Sequence, residues 1–440
     1  MHDLEALAPL WLLVALLGAS IAVAILTRRW NLPTSVVLVV VGLIIALALP
    51  ALHVSPAVLV RPELLLAIVL PGLVFEAAFR ADLGTIRPAA PAILMLGIPG
   101  VVVVAGIVAV LLSATTGISP GEAFLVGSMV AATDPAAVLA TFRHLPVPAR
   151  LATLVEMESL VNDGTGIVLF ALALDLLAGH GSFGIALVSF VVVVVGSSLL
   201  GGALGWAAVR LVGRVDEHVV ELTITIVLAY GTYLLADTLG GSGVIATLVA
   251  AGAFGAGARG ALTDRSLAAI DSVWELVAFL LTASVFLLVG VSIVPGTLVH
   301  AVGPIVWGVV ATLVARGVVV YGLLGGGSRL VGRMRRRPAV DDPSGGDETP
   351  GSGLGLGPVP TSWLHVLFWA GLRGAVSVAL ALSLPPDLPN RELLQGITFG
   401  IVLFTLLVQG TTVNAVVRRS GALATEPRRD RAPVATADRA

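Results

Sequence analysis

Long apolar stretches fill most of the sequence, and short polar segments carrying most of the charged residues separate them. Thirteen stretches are long enough to cross the roughly 30 Å hydrocarbon layer of a bilayer as helices. Their approximate limits are residues 9–27, 33–51, 63–79, 89–113, 120–142, 151–178, 183–209, 218–239, 241–257, 270–291, 297–325, 363–384 and 392–417. The pattern predicts an all-α membrane protein with thirteen transmembrane helices, numbered spans 1 to 13 in chain order.

Composition agrees with this prediction and excludes several kinds of chemistry. The 440 residues are 57% hydrophobic and only 12% charged, whereas soluble domains contain about 25% charged residues. There is no cysteine, which excludes disulfides, thiol catalysis and cysteine-ligated metal sites. The first five residues are acidic rather than basic, so the first apolar stretch is expected to be a retained span and not a cleaved signal peptide.

The arginines predict the orientation of the chain. All 25 basic residues are arginine, and twenty-one of them fall on one side of the predicted bundle, in alternate loops and after span 13. Arg61 and Arg391 fall on the other side, and Arg316 and Arg373 lie inside spans. Because basic residues concentrate in cytoplasmic loops, we expect a multi-pass protein of the inner (cell) membrane with an extracytoplasmic N-terminus and a cytoplasmic C-terminus.

Two segments are too polar to lie in the membrane. Residues 1–330 are expected to contain spans 1–11, and residues 363–417 to contain spans 12 and 13. Between them, residues 331–362 predict a disordered cytoplasmic loop because Pro, Gly, Ser and Asp dominate most of this segment. Residues 418–440 predict a disordered cytoplasmic tail for the same reason.

Seven ionisable residues fall deep inside predicted spans, where each costs at least ~2–3 kcal/mol and marks a candidate functional site. They are Glu76, Asp134, Glu156, Glu158, Asp163, Arg316 and Arg373. Most other acidic residues lie at the edges of spans, where solvated helix ends are expected.

Asp134 lies in the middle of span 5, directly before Pro135. The proline donates no amide hydrogen and crowds the preceding turn, so the helix is expected to break there and to free backbone carbonyls beside a carboxylate. Such a break is tolerated at membrane depth only where it is buried in protein or lines a cavity. Transporters build sites for hard cations in this way.

Span 6 carries a cluster of oxygen-bearing side chains: Glu156, Glu158, Ser159, Asn162, Asp163 and Thr165. Glu158 shares a helix face with Asn162, and Ser159 shares one with Asp163, because each pair is four residues apart. Glu158 and Asp163 differ in depth by roughly 7.5 Å. Oxygen-only groups suit a proton or a hard monovalent cation better than a transition metal.

Span 12 contains Gly371, Arg373 and Gly374, and two glycines in four residues weaken its helix. Spans 5 and 12 are seven apart, so spans 4–6 and 11–13 are expected to form inverted repeats with two crossed broken helices. Interrupted helices at corresponding places in two halves point to an alternating-access site.

Three segments match motifs of a known family: residues 132–139 (Ala-Thr-Asp-Pro-Ala-Ala-Val-Leu), 158–165 (Glu-Ser-Leu-Val-Asn-Asp-Gly-Thr) and 371–377 (Gly-Leu-Arg-Gly-Ala-Val-Ser). In this order they resemble the monovalent cation:proton antiporter family, in its sodium/proton exchanger branch. The resemblance covers about residues 9–417. Met157 stands where a glycine is common, which puts none of the site residues in doubt.

The resemblance implies a secondary antiporter, not an enzyme, that exchanges Na⁺, or Li⁺ or K⁺, for H⁺ in pH and sodium homeostasis. It implies a homodimer in the lipid bilayer without ATP, nucleic acid or a cofactor. Spans 1–3 and 8–10 are expected on the interface side, and spans 4–6 and 11–13 in a moving core. By motif position, Na⁺ is expected at Asp163 and Asp134, with Ser159, Asn162, the Thr133 carbonyl and, from span 3, Glu76.

The pair Asn162-Asp163 resembles the pattern of electroneutral members, so one cation per proton is expected. Arg316 resembles the family's buried arginine and is expected to pair with Glu158, while Arg373 is expected to bind carbonyls freed by the break in span 12. A K⁺/H⁺ antiporter stays open as an alternative. A cation channel needs a continuous pore with several weak sites, and a sodium-coupled anion symporter needs a further solute pocket.

Overall fold

The computed structural model describes residues 18, 21–23, 25, 33–48, 62–179, 182–293, 295–328 and 359–423. Over these residues the chain forms helices joined by turns and short loops, and it contains no strand. The predicted all-α class is therefore confirmed for the part of the chain that is described. Most of predicted span 1, most of the 331–362 loop and the tail beyond residue 423 lie outside the described residues.

The helices of the described part, in chain order, are α1 (Thr34–Ala48), α2 (Pro62–Arg80), α3 (Leu83–Gly97), α4 (Pro99–Thr116), α5 (Pro120–Met129), α6 (Ala136–Phe142), α7 (Ala149–Leu177), α8 (Phe183–Val212), α9 (His218–Thr238), α10 (Gly243–Ala261), α11 (Asp264–Ser292), α12 (Pro295–His300), α13 (Val302–Gly317), α14 (Thr361–Trp369), α15 (Ala375–Leu382), α16 (Arg391–Phe404) and α17 (Gly410–Ser420). Helix α13 continues as π-helix over Val318–Gly326, and π-helix at Thr405–Gln409 joins α16 to α17.

Within the described ranges, eight helical stretches are long and apolar enough to cross a membrane. They correspond to predicted spans 4, 6 to 11 and 13. Helix α1 is a shorter apolar helix inside predicted span 2, and α2 coincides with span 3. Predicted span 4 divides into α3 and α4 at Ile98, where Pro99 begins the second helix.

Predicted spans 5 and 12 each consist of two short helices separated by a non-helical segment. Helix α5 begins with a capping box, in which Ser119 and Glu122 bind each other's backbone N–H groups, and it ends at Met129. Residues 130–135 are not helical, and α6 starts after Pro135. In the same way, residues 370–374 separate α14 from α15. Arg391 binds the carbonyls of Leu382 and Leu384 at the end of α15.

The helices pack as two groups. Helices α1, α2, α8, α9, α10 and α11 pack on one another, and α3, α4, α5, α7, α13 and α16 form the second group, with α15 packed on α16. In the first group, Phe75, Phe254 and Trp274 form a buried aromatic cluster between α2, α10 and α11. The non-helical segments of predicted spans 5 and 12 lie where the second group faces the first.

Candidate functional site

The two non-helical segments lie against each other. The backbone N–H of Asp134 donates to the carbonyl of Leu372 at 2.8 Å. The fully buried Arg373 donates through Nη1 to the carbonyls of Ala131, at 2.7 Å, and Ala132, at 3.1 Å. The arginine of one interrupted helix therefore binds carbonyls that the other interruption frees, which is the compensation that a break inside a membrane requires.

Asp134 faces the N-terminal ends of two short helices. Its Oδ1 accepts the N–H of Ala136 at 2.9 Å, at the start of α6, and the N–H of Ala375 at the start of α15 also donates to this carboxylate. Helix N-termini carry partial positive charge, so both favour the ionised form. Gly374 makes the approach possible, because a Cβ there would lie 2.1 Å from Oδ2 of Asp134.

Side chains of α7 hold the unwound segment in place through Thr133. The Thr133 N–H donates to Oδ1 of Asn162 at 3.0 Å, and Nδ2 of Asn162 donates to Oγ1 of Thr133 at 2.7 Å. The hydroxyl of Ser159 donates to the carbonyl of Thr133. Ser159 and Asn162 are each 1% exposed, so this arrangement is shielded from bulk solvent and fixes the residue before Asp134.

Asp163 is next to this network and differs from the other acids. It lines an internal cavity together with Thr133 and Asp134. Its Oδ1 is buried and has no hydrogen-bond partner among the described residues. A bare carboxylate in such surroundings is costly, so a proton or a cation in the cavity is needed to neutralise it.

Glu158, one residue before Ser159, is paired with an arginine. Nη1 of Arg316 donates to Oε1 of Glu158, and Nη2 donates to Oε2 at 3.0 Å. Nη2 also donates to the carbonyl of Leu367 at 2.9 Å. Gly371 leaves room for this arginine, since a Cβ there would lie 2.9 Å from Nε of Arg316. Both charges are thus compensated inside the second helix group.

The cavity has a volume of about 590 Å³ and lies between the two helix groups. Helices α1, α2 and α11 of the first group form one wall, while the unwound segment of predicted span 5, α7 and the start of α15 form the other. It extends from Asp163 and Asp134 to Arg80, Arg143 and Glu275. The Glu275 side chain is 69% exposed, so this end of the cavity opens to the surface.

Glu76 lines the cavity, but its side chain contacts an arginine instead of the other predicted site residues. Nη1 of Arg80, one turn further along α2, is 2.6 Å from Oε1 of Glu76. Arg80 also contacts Asp271 and Glu275 on α11. The structure therefore brings Thr133, Asp134, Ser159, Asn162 and Asp163 together and leaves Glu76 in an ion-pair network nearer the cavity mouth.

The cation site predicted from the sequence did not include four residues that line the cavity: Arg80, Arg143, Glu156 and Ser377. The signal for Glu156 was available, because it is seven residues before Asp163 and so lies on the same face of α7. Arg80 follows Glu76 by four residues, which is the spacing of an ion pair on one helix. Ser377 is the last residue of the 371–377 motif, but its place in the cavity wall depends on how α15 packs.

Comparisons with known proteins agree with these observations. The family model described as sodium/hydrogen exchanger, transmembrane, matches residues 13–419. The Na⁺/H⁺ antiporter ApNhaP of Aphanothece halophytica is 36% identical over 412 residues, which covers 92% of this chain and 74% of that protein. The Na⁺/H⁺ antiporter NhaG of Bacillus atrophaeus is 31% identical over 433 residues, 95% of this chain and 76% of that one.

Among solved structures, the sodium proton antiporter MjNhaP1 of Methanocaldococcus jannaschii has the same fold. Its TM-score is 0.72 at 18% identity, and the match covers 96% of this chain and 100% of that one. At this level of identity the likeness concerns the arrangement of the helices.

Proposed function

The chain belongs to the sodium/hydrogen exchanger family, and on this premise we propose that it exchanges Na⁺ for H⁺ across the membrane at the carboxylate of Asp163. It is a membrane protein and a secondary transporter, not an enzyme. The observation that supports this site best is the buried Asp163 oxygen without a protein partner in the wall of an open cavity.

The exchange follows from competition for one carboxylate. Removal from water disfavours the charged form of an acid, so the empty site takes up a proton. Na⁺ entering the cavity supplies the same compensating charge and displaces that proton. If the core changes its facing only when Asp163 is neutralised by one or the other ion, the two fluxes are coupled, and an ion gradient drives transport without ATP.

Asp134, Ser159, Asn162 and Thr133 complete the proposed site. Asp134 adds a second carboxylate, and the Thr133 carbonyl adds a neutral oxygen beside it. Ser159 and Asn162 bind Thr133 directly, so they set the geometry of this oxygen. Glu76 is proposed as an outer carboxylate that receives the cation after it leaves the solvent, because Glu76 lines the same cavity nearer the mouth.

Transport is proposed to be electroneutral. Among the acids of predicted spans 3 and 6, Glu158 has its charge balanced by Arg316, and Glu76 has its charge balanced by Arg80. Asn162 cannot titrate. Asp134 is proposed to stay ionised because backbone N–H groups at helix starts donate to it, and Asp163, a cavity-lining acid whose buried oxygen has no partner among the described residues, is proposed as the carboxyl group that alternates between H⁺ and Na⁺.

The architecture proposed for this cycle is thirteen spans with inverted repeats, crossed broken helices and a homodimer in the inner membrane. In this proposal the N-terminus is extracytoplasmic and the C-terminus is cytoplasmic. In this orientation, Arg80 and Arg143 place the cavity mouth on the cytoplasmic side. The described state is then inward-facing, and movement of the second helix group against the first would expose Asp163 to the other side.

Sodium is favoured over potassium because the named relatives are Na⁺/H⁺ antiporters. The same relatives favour antiport over a channel or a sodium-coupled symporter. In everted vesicles with an established pH gradient, addition of Na⁺ should collapse the gradient, and addition of K⁺ should have a much smaller effect.

The site assignment is tested in the same assay. Asp163→Asn should abolish Na⁺-driven proton flux without loss of expression, because an amide neither titrates nor neutralises a cation. Asp134→Asn should weaken the apparent Na⁺ affinity severely, though less completely. Asp175→Asn is the matched control, since it makes the same change on an exposed position of α7, and it should transport normally. Substantial flux through Asp163→Asn would contradict the assignment.

A further inference from the structure

Three residues that line the cavity each have a buried oxygen atom without a hydrogen-bond partner among the described residues: Oγ of Ser35, Oδ1 of Asp163 and Oγ of Ser377. Buried hydroxyl groups in proteins are nearly always hydrogen-bonded, so each exception needs a physical reason. Ser377 is the clearest exception because its side chain is completely buried.

The interruption in predicted span 12 lies directly before Ser377 and affects the carbonyls that its hydroxyl could reach. Several other buried hydroxyls on helices donate to a carbonyl three or four residues earlier, as Ser128 does to Leu125 and Thr398 does to Leu394, although Thr232 and Thr312 have no partner among the described residues and do not line the cavity. The residue four before Ser377 is Arg373, which lies in the non-helical segment. Ser377 is therefore in the first turn of α15 with its hydroxyl unpaired, in the wall that also contains Asp134 and Asp163.

We propose that the Ser377 hydroxyl is a further ligand of the transported cation and helps to determine its selectivity. This inference rests on the proposed exchange of Na⁺ at Asp163. A hydroxyl is a neutral oxygen donor of the kind that hard cations prefer, and it comes from a different helix than the Asp163 carboxylate. Selectivity among small cations depends on the number and field strength of such dipoles, so one additional oxygen changes it.

The proposal predicts a specific change in transport kinetics. Ser377→Ala should raise the apparent KM for Na⁺ roughly tenfold, equivalent to ~1.4 kcal/mol of lost binding, and should leave the maximal rate within about twofold. The KM for Li⁺ should rise at least as much, because an ion of smaller radius gains more from each close oxygen. Removal of an unpaired buried hydroxyl should not lower the melting temperature measured without Na⁺.

Three further variants in proteoliposomes complete the test. Ser377→Thr keeps the hydroxyl and should stay close to wild type. Ser377→Cys keeps the size but replaces oxygen with sulfur, a weak ligand for hard cations, and should behave like Ser377→Ala. Ser128→Ala is the matched control, because that hydroxyl is buried but already bonded to a carbonyl, and its KM values should be unchanged.

An unchanged KM in both Ser377→Ala and Ser377→Cys would overturn the proposal while leaving Na⁺/H⁺ exchange intact. So would a fall in maximal rate that is equal for Na⁺ and Li⁺ with no change in KM, since that result indicates a structural role. Absence of Na⁺-driven flux in the wild type would instead contradict the proposed function itself. As a second readout, Ser377→Ala should need about tenfold more Na⁺ than the wild type for the same rise in melting temperature.

Discussion

Four of the carboxyl groups in or beside the cavity wall differ in their partners, and we propose that these partners give them different roles. Glu158 is bound by Arg316, and Glu76 is bound by Arg80. Asp134 receives backbone N–H groups, whereas Asp163 keeps one oxygen without a protein partner. In the proposed mechanism the same chemical group serves as half of an ion pair, as a second carboxylate of the site or as the exchange site, according to its hydrogen-bond partners.

The ion pair between Glu158 and Arg316 predicts a stability effect. Arg316→Ala should lower the free energy of unfolding by ~3–5 kcal/mol, because it leaves a buried carboxylate without its partner. Glu158→Gln in the same chain should restore part of that loss, since the uncompensated charge is gone. Thermal unfolding in detergent measures both variants.

Arg373 provides the comparison for that pair. It binds the carbonyls of Ala131 and Ala132 and makes no ion pair with Glu158 in the described structure. Glu158→Gln should therefore not rescue Arg373→Ala. Rescue of the Arg373 variant but not of the Arg316 variant would show that the two arginines have exchanged roles.

At the scale of the elements, the two interrupted helices are stabilised by contacts that each makes with the other. Asp134 bonds to the backbone at Leu372, and Arg373 bonds to the backbone at Ala131 and Ala132. The backbone of Arg373 in turn donates to the hydroxyl of Thr405, at the start of the π-helical segment. A displacement of one interruption therefore displaces the other.

Gly374 is the point where this arrangement can be tested by one added methyl group. Gly374→Ala would place Cβ 2.1 Å from the Asp134 carboxylate, so the two segments must separate. We expect loss of most Na⁺-driven flux and a fall in stability of about 1–3 kcal/mol. Flux assays and thermal unfolding check this result. The matched control is Gly106→Ala on α4, where nothing lies within 4 Å; wild-type transport by Gly374→Ala would contradict the close packing described.

The sequence predicted the positions of most described helices. It did not predict which helices pack against each other. Among the described residues, the apolar stretches locate the eight helical stretches that are long and apolar enough to cross a membrane, and Pro135 explains why the chain is non-helical before α6. The division at Ile98 and the π-helical segments were not predicted, because they depend on packing rather than on local pattern. Arg373 was expected to serve the interruption in its own span, yet it binds carbonyls of predicted span 5, since lateral neighbours cannot be deduced from one sequence.

At the scale of the whole molecule, the cavity separates two helix groups that have different internal support. The first group contains the aromatic cluster around Phe75 and Trp274, while the second contains the Glu158–Arg316 pair and both interruptions. The proposed exchange site, Asp163, lies on the second group and lines the cavity between the groups. A relative movement of these groups can change which side of the membrane reaches Asp163 while the contacts around Thr133 and Asp134 are kept.

The single exchanging carboxylate predicts that transport is insensitive to voltage. In the proposed cycle one Na⁺ exchanges for one H⁺, so no net charge would cross the membrane. In proteoliposomes at fixed ion gradients, an imposed membrane potential should leave the exchange rate nearly unchanged. A strong dependence on voltage would show that a second acid, Glu76 or Asp134, also exchanges a proton.

The central claim is that Na⁺ and H⁺ compete for Asp163, and proton release on Na⁺ binding tests it most directly. Purified protein in weakly buffered detergent solution is titrated with Na⁺ while a pH indicator records the protons released. Wild-type protein, at a pH where the empty site is protonated, should release about one proton for each Na⁺ bound, as should the Asp175→Asn control, and Asp163→Asn should release none. Equal proton release from the Asp163→Asn variant, or Na⁺ binding to wild type without proton release at any pH at which the protein transports, would contradict the account.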